Sequence, residues 1–219
     1  MSLSTVACAV AFALGGLLPR GALGQSVSIN PYAAYVSFPG GASQSTGGSI
    51  GYGATAYVFL SGHIALGGGY RRSVHDNLSR SALFFSEDIP GTAVAETFYA
   101  EVRSSFTDRS KPESWRIPYV AARLGLARQF NSVDDRSVCE SPIRCEGPIL
   151  RPRNNGIEIG VMAGQALRLS SNIWLDGSIG GALRSVTGPL DPDIRIITTE
   201  GADFRSVALT LQIGLRAEY

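Results

Sequence analysis

The stretch Phe204–Tyr219, FRSVALTLQIGLRAEY, decides the fold. From Val207 onward every second residue (Leu209, Leu211, Ile213, Leu215, Ala217, Tyr219) is apolar, whereas Ser206, Ala208, Thr210, Gln212, Gly214, Arg216 and Glu218 are small or polar. A period of two belongs to a β-strand, because successive side chains point to opposite faces. A soluble barrel would turn the apolar set inward. A membrane barrel turns it out to lipid and lines its lumen with the other set.

The same alternation recurs upstream, in segments near 27–38, 49–60, 64–75, 93–106, 116–130, 156–169 and 173–186, which predicts eight strands in all. Breaks after the first, third, fifth and seventh are long, and those after the second, fourth and sixth are short. If neighbours pair as hairpins, all long loops fall at one end. Short periplasmic turns and long outer loops characterise outer-membrane barrels. The charged residues decide between the two barrels. Arg71, Glu101, Arg103, Arg123, Glu158, Arg168, Asp176, Arg184, Gln212 and Arg216 all fall in the sets opposite the Leu/Ile/Val sets. In an apolar soluble core each unpaired charge would cost several kcal/mol. In a shared lumen, acids and arginines can pair, and eight strands leave an interior that side chains just fill. A soluble lipocalin-like barrel would need the reverse arrangement. The aromatics Tyr57, Phe59, Phe106, Trp115, Tyr119, Trp174 and Tyr219 near the short turns, with Tyr35, Tyr52, Tyr70, Phe98 and Phe130 near the long loops, suit two interfacial girdles. Tyr57 and Trp174 belong to the inward set and are expected at the lumen floor.

Composition agrees with an exported barrel. Charged residues are 17% of the 219, Gly is frequent at 26, and the net charge of +1 leaves no basic footprint for nucleic acid. Residues 5–18, TVACAVAFALGGLL, are too short for a transmembrane helix and have the length of a signal-peptide core. Ala22-Leu23-Gly24 offers a small-x-small cleavage site, so residues 1–24 are expected to be a cleaved signal and 25–219 the barrel domain. No Lys or Arg precedes the apolar run, a departure from the usual signal. Cys139 and Cys145, in CESPIRC, suit a small disulfide-closed loop in an oxidising compartment. The rival, a metal site, would need two more ligands, and both histidines, His63 and His75, lie elsewhere. No metal or cofactor is expected.

The signal-like start, eight alternating strands, loop asymmetry and aromatic end make the chain resemble the small eight-stranded outer-membrane β-barrels, typified by the OmpA-like membrane domain and porin-family surface proteins. The resemblance implies an all-β, antiparallel, up-and-down transmembrane barrel. It also implies that Leu211, Ile213, Leu215 and Tyr219 are read by the barrel-assembly machinery. No peptidoglycan-binding domain is expected after the barrel.

Function is less legible. Some barrels of this size modify lipid A with a His, a Ser and an acid at the outer rim. The candidate here is Ser73, His75 and Asp76, but Asp76 falls in a loop and no oriented triad is evident. A narrow channel is the second alternative. The leading expectation is a non-enzymatic scaffold whose long loops serve surface interaction or docking to an envelope assembly, because binding residues sit on loops held by rigid frames. Arg136, Arg144, Arg151 and Arg153 in the loop 131–155 could contact lipopolysaccharide phosphates, since Arg recognises phosphate bidentately. Phe84 and Phe85, in SALFFS, are candidates for a protein partner or the outer leaflet.

Overall fold

The computed structural model describes residues 26–38, 48–82, 85–111, 113–133, 149–150, 154–187 and 203–219. The expected signal, Cys139 and Cys145, and the loop residues Phe84, Arg136, Arg144, Arg151 and Arg153 lie outside the described residues, as does the side chain of Phe85.

The strands are β1 (Val27–Ser37), β2 (Ser49–Phe59), β3 (Ile64–Ala82), β4 (Phe85–Ser105), β5 (Arg116–Val133), β6 (Ile149–Leu150), β7 (Asn154–Arg168), β8 (Ile173–Thr187) and β9 (Asp203–Glu218). Eight of them close an antiparallel barrel in the order β4-β3-β2-β1-β9-β8-β7-β5, with β4 returning to β5. The two-residue β6 adds a rung beside Ser132 and Val133 on the loop side of β5. Closure leaves no strand edge open, the condition for a sheet to stand in lipid. The first and last strands meet at the β1–β9 seam. There the register runs Ser28–Glu218 and Ile29–Ala217, then resumes at Tyr32–Gly214, skipping Asn30 and Pro31. Proline has no N–H to give to a ladder, yet Pro31 keeps its place opposite Ala54 of β2.

The alternation determines the two faces. Leu183 is 70% exposed and Ile213 58%, and Ile159, Val161, Ile179 and Leu211 are exposed beside them. Arg71, Glu101, Arg103, Arg123, Glu158, Asp176, Arg184, Gln212 and Arg216 are buried inside. This surface is apolar where a soluble barrel would be charged, which removes the lipocalin-like alternative.

Three features differ from the sequence expectation. First, residues 76–92, read as a loop, continue the ladder: β3 and β4 stay paired from His75–Ala93 up to Ala82–Phe85. A bulge between Asp76 and Leu78 marks where the hairpin leaves the barrel. The facing segment of β4 contains Pro90-Gly91, a pair suited to an interrupted rung. Ladder pairing there supplies backbone partners that a loop would have to find elsewhere. Second, the segment holding Phe85 is therefore strand. Third, Phe59 joins Tyr57, Trp174 and Tyr119, which shares the parity of Arg123, inside the lumen, and the exposed aromatics near the short turns are Phe106, Trp115 and Tyr219. Glycines open the room: a Cβ on Gly67 would meet the Tyr57 ring at 2.7 Å, and one on Gly69 the Tyr99 ring at 2.6 Å.

Candidate functional site

The inward side chains form three layers. In the middle layer Glu101 (β4) is the hub. Its carboxylate accepts hydrogen bonds from Tyr57 Oη at 2.8 Å, from Arg103 Nε at 3.4 Å and from Arg123 Nε. Arg103 donates through Nη1 to Asp176 Oδ2 at 2.7 Å and through Nη2 to Tyr57 Oη at 2.5 Å. Its guanidinium lies between two rings, 4.3 Å from the Tyr57 centroid and 3.8 Å from that of Tyr119. Tyr119 Oη donates to Asp176 Oδ1 at 2.5 Å, and Arg123 Nη2 to Gln212 Oε1 at 3.1 Å. Tyr99 Oη bridges Tyr32 at 2.9 Å and Thr55 at 2.6 Å.

Above it, Arg71 (β3) spans the lumen. Its Nη2 donates to both Glu158 oxygens on β7, at 2.7 and 2.9 Å, and its Nη1 to Thr210 of β9 at 2.9 Å. Thr97 gives Glu158 a further bond at 3.1 Å. Arg184 lies higher still. Its Nη2 donates to the Arg128 carbonyl at 2.7 Å and its guanidinium faces the Phe38 ring. Around them Tyr32, Ala34, Val36, Phe38, Ala95 and Ala208 form an apolar cluster that fills the upper lumen. Ser73 Oγ and His75 Nε2 are 2.8 Å apart in this layer, with His75 against Phe38. Both are buried, so the pair is closed to a bulky substrate. The side chain of Asp76 lies outside the described residues.

The floor is sealed by a residue the sequence pattern does not single out. The β4–β5 turn crosses the mouth beneath the barrel. Arg109 N donates to the Gly62 carbonyl in the β2–β3 turn at 3.1 Å. Its Nη1 reaches Ser26 at 2.9 Å and its Nη2 reaches Glu218 at 2.6 Å, so one guanidinium ties the far seam. It lies 3.3 Å from the Phe59 ring centroid. Trp174, fully buried, sits under Arg216 and beside the half-buried Arg168. Asp108 anchors the turn: its carboxylate accepts the Ser110 hydroxyl and N–H, which hold its pKa below the usual carboxylate range. The only signal for this seal in the sequence is that DRSKPES makes the turn longer than SGH or SSN.

A filled lumen, an apolar exterior and a closed antiparallel sheet suit one environment. The fold is that of a small outer-membrane β-barrel. The solved structure of Neisserial surface protein A aligns with 91% of this chain and 100% of its own, at 19% identity and a TM-score of 0.52. Outer membrane protein OprG from Pseudomonas aeruginosa aligns with 90% of this chain and 96% of its own, at 10% identity and a TM-score of 0.53. No family model and no curated protein matches the sequence. The barrel belongs in a bacterial outer membrane, where lipid covers its exterior, the short turns face the periplasm and the long loops face out.

In that frame the last strand shows its lipid face. Leu211, Ile213 and Leu215 are exposed on it. The backbones of Tyr219 and Val27 exchange hydrogen bonds at 2.8 and 3.3 Å, the lowest rungs of the seam. As part of an assembly signal, Tyr219 is expected to be needed for insertion: removing it, or adding a polar tail beyond it, should lower the folded outer-membrane fraction several-fold. Fractionation with heat-modifiable gel migration measures this. Insertion at the full level would remove the role.

Proposed function

We propose that this barrel is a non-enzymatic outer-membrane scaffold that presents its outer loops for surface interaction or for docking to an envelope assembly. The observation that supports this best is the lumen, which is crossed by ion pairs, filled above by apolar residues and sealed below by Arg109. A pore would need that volume. The β3–β4 hairpin adds a platform: seven residues of β3 beyond His75, at about 3.3 Å each, carry paired backbone well past the rim. Burial of the Ser73–His75 pair supports the absence of chemistry there.

Planar-bilayer recording tests the reading. The expected result is no stepwise conductance from the intact barrel, and large open steps would overturn it. A small current would favour a narrow channel instead. Buried arginines outnumber buried acids five to three among the described residues, so that current would be anion-selective. Co-purification from mild detergent, with the outer loops intact and then replaced, should yield a partner that depends on the loops. Lipid A mass spectra with and without the gene should coincide.

A further inference from the structure

The outward face of β3, β4 and β5 breaks the apolar pattern at one level. Arg72, Glu96 and Arg128 stand directly opposite one another on adjacent strands, flanked by Tyr52 on β2 and Asn155 on β7. Arg72 Nη1 is 3.6 Å from Glu96 Oε1, and Tyr70 Oη donates to the same oxygen at 2.8 Å. The Arg128 guanidinium is directed at the Phe98 ring, 5.5 Å from its centroid. The row thus holds two cations and one acid, the acid paired with Arg72, and the Arg72 side chain keeps 32% of its surface exposed.

The next row toward the membrane centre is Tyr70, Phe98, Leu126 and Ile157, and the row below it is Gly68, Ala100, Leu124 and Ile159. Large side chains above and the small Ala100 below leave a groove of about 450 Å³ in the exterior. Phe98, Leu124, Leu126 and Ile157 line it, and Ala100 and Gly125 belong to its wall.

This level lies at the long-loop end of the barrel, where the outer leaflet meets water. We propose that the face is a binding site for one phosphate-bearing, multiply acylated lipid of the outer leaflet, with phosphate held by Arg72 and Arg128 on either side of Glu96 and an acyl chain in the groove over Ala100. The net positive row matches a phosphate in charge, and the guanidinium fork matches it in shape. The groove lies in the hydrocarbon zone, so an acyl chain can occupy it. This site is separate from the loop arginines Arg136, Arg144, Arg151 and Arg153.

Native mass spectrometry of the full chain from mild detergent tests the proposal. The probes are diphosphorylated lipid A, its dephosphorylated analogue, phosphatidylcholine and inorganic phosphate. The expected result is one retained lipid A, with the dephosphorylated analogue, phosphatidylcholine and free phosphate each retained far less. Each arginine replaced, Arg72→Gln or Arg128→Gln, should weaken lipid A retention roughly fivefold. Ala100→Phe, which fills the groove and leaves both arginines in place, should weaken it as well. Heat-modifiable migration checks that each variant is folded. If an arginine variant fails to fold, Ala100→Phe with the dephosphorylated probe still decides. Equal retention of phosphorylated and dephosphorylated lipid, or unchanged retention by the folded variants, would overturn the proposal.

Discussion

Glu101→Ala should destabilise the folded barrel by about 3–5 kcal/mol, the range for breaking a buried ion pair from one side. The Glu101 carboxylate, wholly removed from solvent, holds Arg103 and Arg123 and accepts the Tyr57 hydroxyl. Without it Arg103 retains Asp176, but Arg123 keeps the neutral oxygen of Gln212 and the Tyr99 ring, with no second carboxylate among the described residues. The damage comes from the stranded guanidinium more than from the lost attraction. Glu101→Met combined with Arg123→Met therefore recovers much of the loss, because removing both charges strands neither. Reversible urea unfolding in lipid vesicles measures each variant. A loss below about 1 kcal/mol for Glu101→Ala, the range of exposed ion pairs, would mean that water solvates the layer and the lumen is open.

Ile213→Arg tests the other face, one residue from Gln212. Ile213 projects into lipid between Ala33 of β1 and Gly177 of β8. Arginine at the bilayer midplane on a barrel exterior costs about 2–4 kcal/mol, falling to about 0–1 near the interface. Val207→Arg, three rows closer to the outer rim on the same face, is expected at the lower end. The same vesicle unfolding gives both numbers. Equal costs at the two depths, or none at Ile213, would contradict a lipid-facing exterior.

These two substitutions stand on what the sequence makes legible. A period of two is enough to assign Gln212 and Ile213 to opposite faces, and mid-strand charges gathered almost wholly on one parity separate a membrane barrel from a soluble one. The partners were not legible. That Glu101 meets Arg123 and Glu158 meets Arg71 depends on register, and alternation alone leaves register free to slide by two residues at a time. The same freedom hid the row Arg72–Glu96–Arg128, which exists only because β3, β4 and β5 bring the three residues level. Arg109 was hidden for another reason. It belongs to a turn without periodicity, and its fold across the floor is set by the distant Ser26, Gly62 and Glu218. The height of the β3–β4 hairpin was obscured by the polar run after His75, which reads as a loop in sequence but pairs as a ladder.

The interrupted rungs at Asn30 and Pro31 have a consequence for the time before closure. Until β9 arrives, β1 presents a free edge that another unfinished copy could capture. Proline at such an edge withholds a donor from any visiting strand, a common defence against edge-to-edge aggregation. β9 tolerates the gap because its other rungs, from Tyr32–Gly214 to Ser37–Leu209, run on past it and Tyr219 closes the far side. A short foreign strand lacks those compensating pairs. One residue without an N–H thus biases the seam toward its own chain and away from its neighbours.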